Sequence, residues 1–439
     1  MAPIPHTPKV VVYHQTHHTR DGQRPISILP LLGHDDGAGS GQPSATHIIV
    51  AAVHVNDPDS HKTGGPPPLT LNDHAPDHPR FEVLWSEVAA AQARGVRVLA
   101  LLGGAAKGSF ERLDISRVAS QAVFERHYAP LYSLLRQRRF DGVDLDVEEI
   151  MSLTGIVYLI DRLRADFGPA FLLTMAPVAA ALLRPYDPRC NLSGFSYADL
   201  ERQRGHEIAW YHAQFYCGWG DASQPNMYAS MVGLGPAGSA LGGTGGPGGL
   251  MPPISGAPIV WPAHRVVMGL VTNPANGPGF VSLDTSAEVM MQLQAATSAA
   301  SVAFPAVPGM HGGPFGGVSG WEYFNSLPGG EKRPWEWAEL MSAILGTRVE
   351  ADGLAGNLQR DPAKATAIAP VASASASTSA SFSATSSAAT ATAATATATT
   401  EATATAASTN KSEADPDKSG GPEAAVPEPF EYTTDSEDA

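Results

Sequence analysis

The side chains best suited to chemistry lie in one stretch, Phe140-Asp141-Gly142-Val143-Asp144-Leu145-Asp146-Val147-Glu148-Glu149. At the two-residue period of a strand, Asp144, Asp146 and Glu148 share one face, and Val143, Leu145 and Val147 share the other. Three carboxylates this close cannot all ionise cheaply, so at least one should hold a proton near neutral pH, as a general acid must. A solvated acidic edge strand is the alternative. The apolar opposite face and the helical pattern at Leu131-Tyr132-Ser133-Leu134-Leu135 favour an internal α/β strand covered on both sides. Glu149 points the other way along the strand and is excluded as the acid.

The elements that would position these acids can be read along the chain. Short apolar or β-branched runs predict strands at Lys9–Tyr13, Thr46–Val55, Val96–Leu102, Phe171–Pro177, Ile208–Tyr216, Arg265–Val271 and Gly317–Phe324, besides the acidic one. Helical spacing over Phe81–Gly95, Val118–Arg138, Gly155–Phe167 and Pro334–Leu345 falls between or after them. Eight strand-helix units result. His54 and Asn56 lie at the carboxyl end of the second predicted strand, where barrel enzymes place their sites; a structural hydrogen-bonded role is the other reading. The cluster His14-Gln15-Thr16-His17-His18 has no acidic or Cys partner at ligand spacing, so it reads as a polar loop or substrate rim rather than a metal site. Residues Asp221 to Ala257 form a Gly/Pro-rich insertion without the Lys-Ser/Thr of a phosphate loop, expected to be a loop near the mouth of the site.

Asp141-Gly142-x-Asp144-x-Asp146-x-Glu148 resembles the D-G-x-D-x-D-x-E signature of family 18 glycoside hydrolases, which are (β/α)8 barrels with this motif on the fourth strand. Gln214-Phe215-Tyr216 resembles the Q-F-Y of class III chitinases and related endoglycosidases, although Cys217 follows where chitinases commonly carry Asn or Asp. Leu102-Gly103-Gly104-Ala105 is similar to the family's S-x-G-G segment without its serine. The resemblance implies substrate-assisted catalysis, in which the sugar's acetamido oxygen attacks its own anomeric carbon. Glu148 would then be the acid, Asp146 would orient the acetamido N–H, Asp144 would couple the protonation of the trio, and Tyr216 would donate to the acetamido oxygen. Trp321 would close the floor of the sugar site, Met175 would lie beneath the sugar, and Gln214, Gly103 and Gly104 would line it.

Segments Val147–Leu153, Ala176–Ala179, His54–Asn56 and Leu71–His74 look most similar to fungal endo-β-N-acetylglucosaminidases, which cut the N,N′-diacetylchitobiose core of N-glycans. A class III-type chitinase and an inactive GlcNAc-binding lectin on the same barrel are the alternatives.

Composition bounds the rest. The chain has 439 residues and a formal charge of −15. Residues 1–350 are expected to form one catalytic barrel, and 361–439, an Ala/Ser/Thr tract with an acidic end, a disordered tail. The tail holds eleven acids and three lysines, over half of the net charge. No basic patch points to nucleic acid, and no run is long enough to span a membrane. The expected partner is an N-glycan or GlcNAc-containing oligosaccharide bound by a monomer with no cofactor and no metal. The start, Met1-Ala2-Pro3-Ile4-Pro5, lacks an apolar leader, so a cytoplasmic protein is expected, unconventional export aside, and the sequons at Asn191 and Asn410 would be idle. Cys190 and Cys217 could form at most one bridge.

Overall fold

The computed structural model of the protein describes residues 8–33, 41–234, 259–303 and 314–347. The expected tail and residues 235–257 of the Gly/Pro-rich insertion lie outside the described residues. Nine strands are described: β1 (Lys9–His14), β2 (His47–Val55), β3 (Leu69–Leu71), β4 (Arg97–Gly103), β5 (Gly142–Asp146), β6 (Leu172–Met175), β7 (Trp210–Gln214), β8 (Val266–Val271) and β9 (Gly317–Trp321). Apart from β3, they pair in parallel around a closed circuit, because β9 returns to β1 at Lys9–Gly317 through Val12–Gly320 while β1 also pairs with β2. The result is an eight-stranded (β/α)8 barrel.

The helices are α1 (Glu82–Ala93), α2 (Ser109–Arg112), α3 (Gln121–Gln137), α4 (Leu153–Phe167), α5 (Ala179–Leu183), α6 (Tyr197–Arg204), α7 (Asn226–Met231), α8 (Leu283–Ala303) and α9 (Glu336–Leu345). Serine caps set three of their starts. Ser120, Ser152 and Ser196 each accept the backbone N–H three residues on, opening α3, α4 and α6.

The apolar residues divide into two cores by strand alternation. Val10, Val12, Ile48, Val50, Val98, Val143, Leu145 and Leu173 pack outward against the helices. Val11, Tyr13, Ile49, Ala51, Leu99, Leu101, Trp210 and Val267 fill the barrel interior. Both faces of every barrel strand are therefore buried, and most of the strands read as continuous apolar runs for that reason.

Three expectations are corrected here. The segment between Asp57 and Asp77, where no strand is expected from the sequence, contains β3, which pairs antiparallel with the end of β2 at Val53–Leu71, His54–Thr70 and Val55–Leu69. The acidic strand, fourth in the barrel, is β5, and it ends at Asp146, so Glu148 stands on the loop beyond it. The start of the Gly/Pro-rich insertion carries the short helix α7.

Candidate active site

The carboxyl end of β5 faces into the barrel, and its two inward acids have different surroundings. Asp144 is fully buried; Tyr13 on β1 donates its hydroxyl to Oδ2 at 2.9 Å and Thr174 on β6 donates to Oδ1 at 2.6 Å. Burial pushes this carboxyl up to about 6, against the pull of the two hydroxyls. Asp146 is one pleat nearer the mouth. Its carboxyl is raised well above the usual range by burial first, then by the charges of Glu148 and Asp144.

Glu148 is half-buried at the mouth. A single amide joins it to Asp146: Gln214 Nε2, at the end of β7, donates to Asp146 Oδ1 at 3.2 Å, to Glu148 Oε1 at 3.0 Å and to the Ala176 carbonyl at 2.9 Å. Two hydrogens serve three acceptors. Burial raises Glu148 above its ordinary value, and the Gln214 bond opposes the shift. Asp146 and Glu148 thus share the Gln214 amide between them, and their mutual charge favours a proton on one of the pair.

The loop that carries Glu148 is tied down on both sides. Glu149 turns outward and accepts the backbone N–H groups of Gly108 and Phe110, both at 2.7 Å. Asp114 accepts Ser152 N at 2.7 Å and Ser152 Oγ at 2.8 Å, and Ser193 donates to the Val147 carbonyl at 2.8 Å. Glycine is required at the end of β4: a Cβ on Gly103, whose φ is +97°, would collide with the Phe110 ring and the Asp146 carbonyl. Gly104, at φ +89°, donates its N–H to that same carbonyl at 2.9 Å and borders the Asp146 carboxylate.

The other expected site residues fall into two groups. Trp321 is half-buried at the end of β9 and meets, edge-on at 5.7 Å, the ring of Tyr13, whose hydroxyl bonds Asp144. Tyr216, half-buried two residues past Gln214, lies near enough to Tyr13 to raise its hydroxyl further. Met175 does not join them. Thr174 takes the inward place on β6, so Met175 turns into the outer layer, where it is fully buried; the expected position beneath the sugar is corrected. Asn56 is committed to the β2–β3 connection, with Nδ2 on the Pro67 carbonyl at 3.0 Å and Thr70 Oγ1 at 3.3 Å. His54 shares that hairpin, half-buried, with a buried Nδ1 that has no hydrogen-bond partner among the described residues.

Tyr13 and Thr174 were missed by sequence reading, although both occupy the inward alternation of their strands. Glu322 was missed as well: buried beyond β9, it accepts Gln15 N, Thr16 N and Thr16 Oγ1 at 3.2, 2.9 and 2.8 Å, linking the ends of β9 and β1. His14 and His17 pack as buried rings 4.8 Å apart, giving that cluster a structural place. Among the described residues no group of His, Cys, Asp and Glu could hold a metal, and no helix is long and apolar enough to cross a membrane. Cys190 and Cys217 are free thiols.

A (β/α)8 barrel with three stacked acids at the carboxyl end of one strand has the form of a glycosidase. A fungal endo-β-N-acetylglucosaminidase of glycosyl hydrolase family 18 is 37% identical, over 77% of this chain and 98% of its own, with a TM-score of 0.59. The chitinase ChiC of Aspergillus fumigatus is 43% identical, over 76% of this chain and 99% of its own, with a TM-score of 0.56. This chain belongs to glycosyl hydrolase family 18. Among curated proteins, Endochitinase 37 of Trichoderma harzianum is 30% identical over 106 residues, 22% of this chain and 29% of that protein, so the match spans under a third of that relative. No family model matches the sequence.

Proposed function

We propose that the protein is a retaining endo-β-N-acetylglucosaminidase that hydrolyses the β-1,4 bond of the N,N′-diacetylchitobiose core of N-glycans. The observation that carries this reading is the pairing of Asp146 and Glu148 through one Gln214 amide at the barrel mouth, two carboxyls that burial raises above their ordinary range. Glu148 passes its proton to the leaving glycosidic oxygen while the substrate's acetamido oxygen attacks the anomeric carbon. Asp146 accepts the acetamido N–H and offsets the positive charge of the oxazolinium ion. Asp144 couples to it from below, and Tyr216 steadies the attacking oxygen. Glu148, now a carboxylate, takes a proton from water, which opens the ring with retention. Trp321 presents its ring to the C–H face of the sugar.

The N-glycan substrate draws support from the endo-β-N-acetylglucosaminidase relative, of which this chain covers 98%. A chitinase is the second reading, favoured by the 43% identity to a chitinase. Mass spectrometry of a high-mannose glycoprotein and of chitohexaose, each incubated with the protein and with Glu148→Gln, tests both. Release of glycan leaving one GlcNAc on asparagine, by the unaltered protein alone, is expected. Cleavage of chitohexaose alone would replace the first reading by the second, and cleavage of neither would sink both.

A further inference from the structure

Beneath Asp144 lies a buried histidine that the acid chemistry above does not use. His212 projects from β7 into the barrel interior, and its Nε2 is 4.0 Å from Asp144 Oδ1. That distance suggests an ion pair. The hydrogen bonding excludes one: Trp210, on the same strand, donates its indole N–H to that Nε2 at 2.8 Å. An indole N–H can only donate, so Nε2 must carry its lone pair. The ring's one proton therefore sits on Nδ1, which is buried and has no partner among the described residues. A second proton on Nε2 would face the indole N–H head-on.

Trp210 is itself held in place. The Lys9 ammonium lies 4.9 Å over its ring and donates to the His264 carbonyl at 3.1 Å, and His47 meets the indole edge-on at 4.8 Å. The charged and titratable groups facing His212 are Lys9 and Tyr13 on β1, His47 on β2 and Asp144 on β5; Tyr13 packs edge-on against it at 5.7 Å. Burial pushes His212 well below its ordinary value, and His47 and Lys9 push the same way. Among the described residues only Asp144 would favour a charged ring, and the indole occupies the atom through which it could act.

We propose that Trp210 and His212 are positioning residues of the acid trio: the indole locks the imidazole as an uncharged acceptor and so denies Asp144 a cationic partner. A charged imidazole at that place would hold Asp144 ionised and, through it, lower the proton affinity of Asp146 and Glu148. With the lock in place, the protons that burial assigns to the trio stay on the carboxyls from which Glu148 draws. This assignment rests on the reading of the trio as the catalytic acids.

The test is the ring nitrogens' NMR spectrum in the full chain labelled with 15N-histidine, from pH 5 to 8, with His212 identified by its loss in His212→Phe. A neutral ring protonated on Nδ1 throughout is expected. Trp210→Phe should let the ring take a second proton within that range and move the alkaline limb of the kcat profile down by about one pH unit. On that limb kcat falls about tenfold while KM stays within about twofold. Trp210→Phe/His212→Phe should return the limb, because the cation is gone. A ring protonated on Nε2 in the unaltered protein, or an unmoved limb in Trp210→Phe, would overturn the assignment. Should Trp210→Phe not fold, the spectrum of the unaltered protein decides alone. A protein without glycosidase activity whose ring nonetheless carries its proton on Nδ1 would count against the catalytic reading and not against the lock.

Discussion

Glu148 and Glu149 are adjacent in the chain and belong to opposite regions of the molecule. Glu149 lies in the layer between barrel and helices, where two backbone N–H groups supply its oxygens. Asp114 and Glu87 sit in the same layer with donors of the same kind: Ser152 N, Ser152 Oγ and Ser116 N on the first, Ile28 N and Ser27 Oγ on the second. Glu148 and Asp146, across the strand, share one amide. A buried carboxylate with its donors supplied is structural and holds loops in place. One left short of donors costs the fold stability and is kept where a proton must change hands.

The comparison breaks most visibly at the acid itself. Glu148→Gln keeps the Gln214 contact but cannot release a proton, and turnover should fall by about 10³-fold or more with glycan binding retained, read by single-turnover kinetics and calorimetry. Retained activity would place the acid elsewhere. Glu149→Gln should do the reverse. It puts an amide N–H against a backbone N–H, and urea unfolding should show a loss of about 2–3 kcal/mol while kcat of the folded protein stays within about threefold.

Asp144→Asn sharpens the same contrast through pH. In the fold the Asp144 carboxyl is raised to about 6 from an ordinary 3.8. The folded protein therefore keeps a proton that the unfolded chain has lost between those values. The stability this contributes is full below pH 3.8 and is lost as pH rises through 6, so the ionised group costs roughly 3 kcal/mol at pH 8. The asparagine variant should be more stable than its parent by ~2–3 kcal/mol at pH 8 and lose that margin near pH 4, while turning over more slowly. Equal stability across the range would mean that Asp144 is not strained by its charge.

What could be read beforehand follows the same physics. The acids of β5 were legible because a two-residue period of Asp and Glu against Val and Leu is rare and carries its own orientation. On β6 the run Leu172-Leu173-Thr174-Met175 is covered on both faces, so nothing local says which alternate points inward, and Met175 was placed on the wrong side. β3 was invisible because three residues after Pro66-Pro67-Pro68 have no period to show; its partner is fourteen or more residues away. Glu322 takes its meaning from Gln15 and Thr16 just past β1, and His212 from Asp144 on β5; the two-residue spacing of Trp210 and His212 puts both rings on one face without saying which way that face points.

The smallest effect is expected at Cys217, where the chain departs from the Asn or Asp that commonly follows this tyrosine in chitinases. Its φ of +54° is left-handed, and its N–H donates to the Pro278 carbonyl at 2.8 Å, so the turn after Tyr216 is held by backbone rather than by the thiol. Asparagine tolerates that conformation better than most residues, because its short side chain hydrogen-bonds locally. Cys217→Asn should therefore gain a few tenths of a kcal/mol in thermal unfolding and leave hydrolysis of either substrate within about threefold. Burial, and then the charge of Glu148, raise the thiol, which shows how close this position is to the acid. A change in the ratio of N-glycan to chitohexaose cleavage well beyond threefold would make position 217 a determinant of substrate choice and move the boundary between structural and chemical regions outward by one residue.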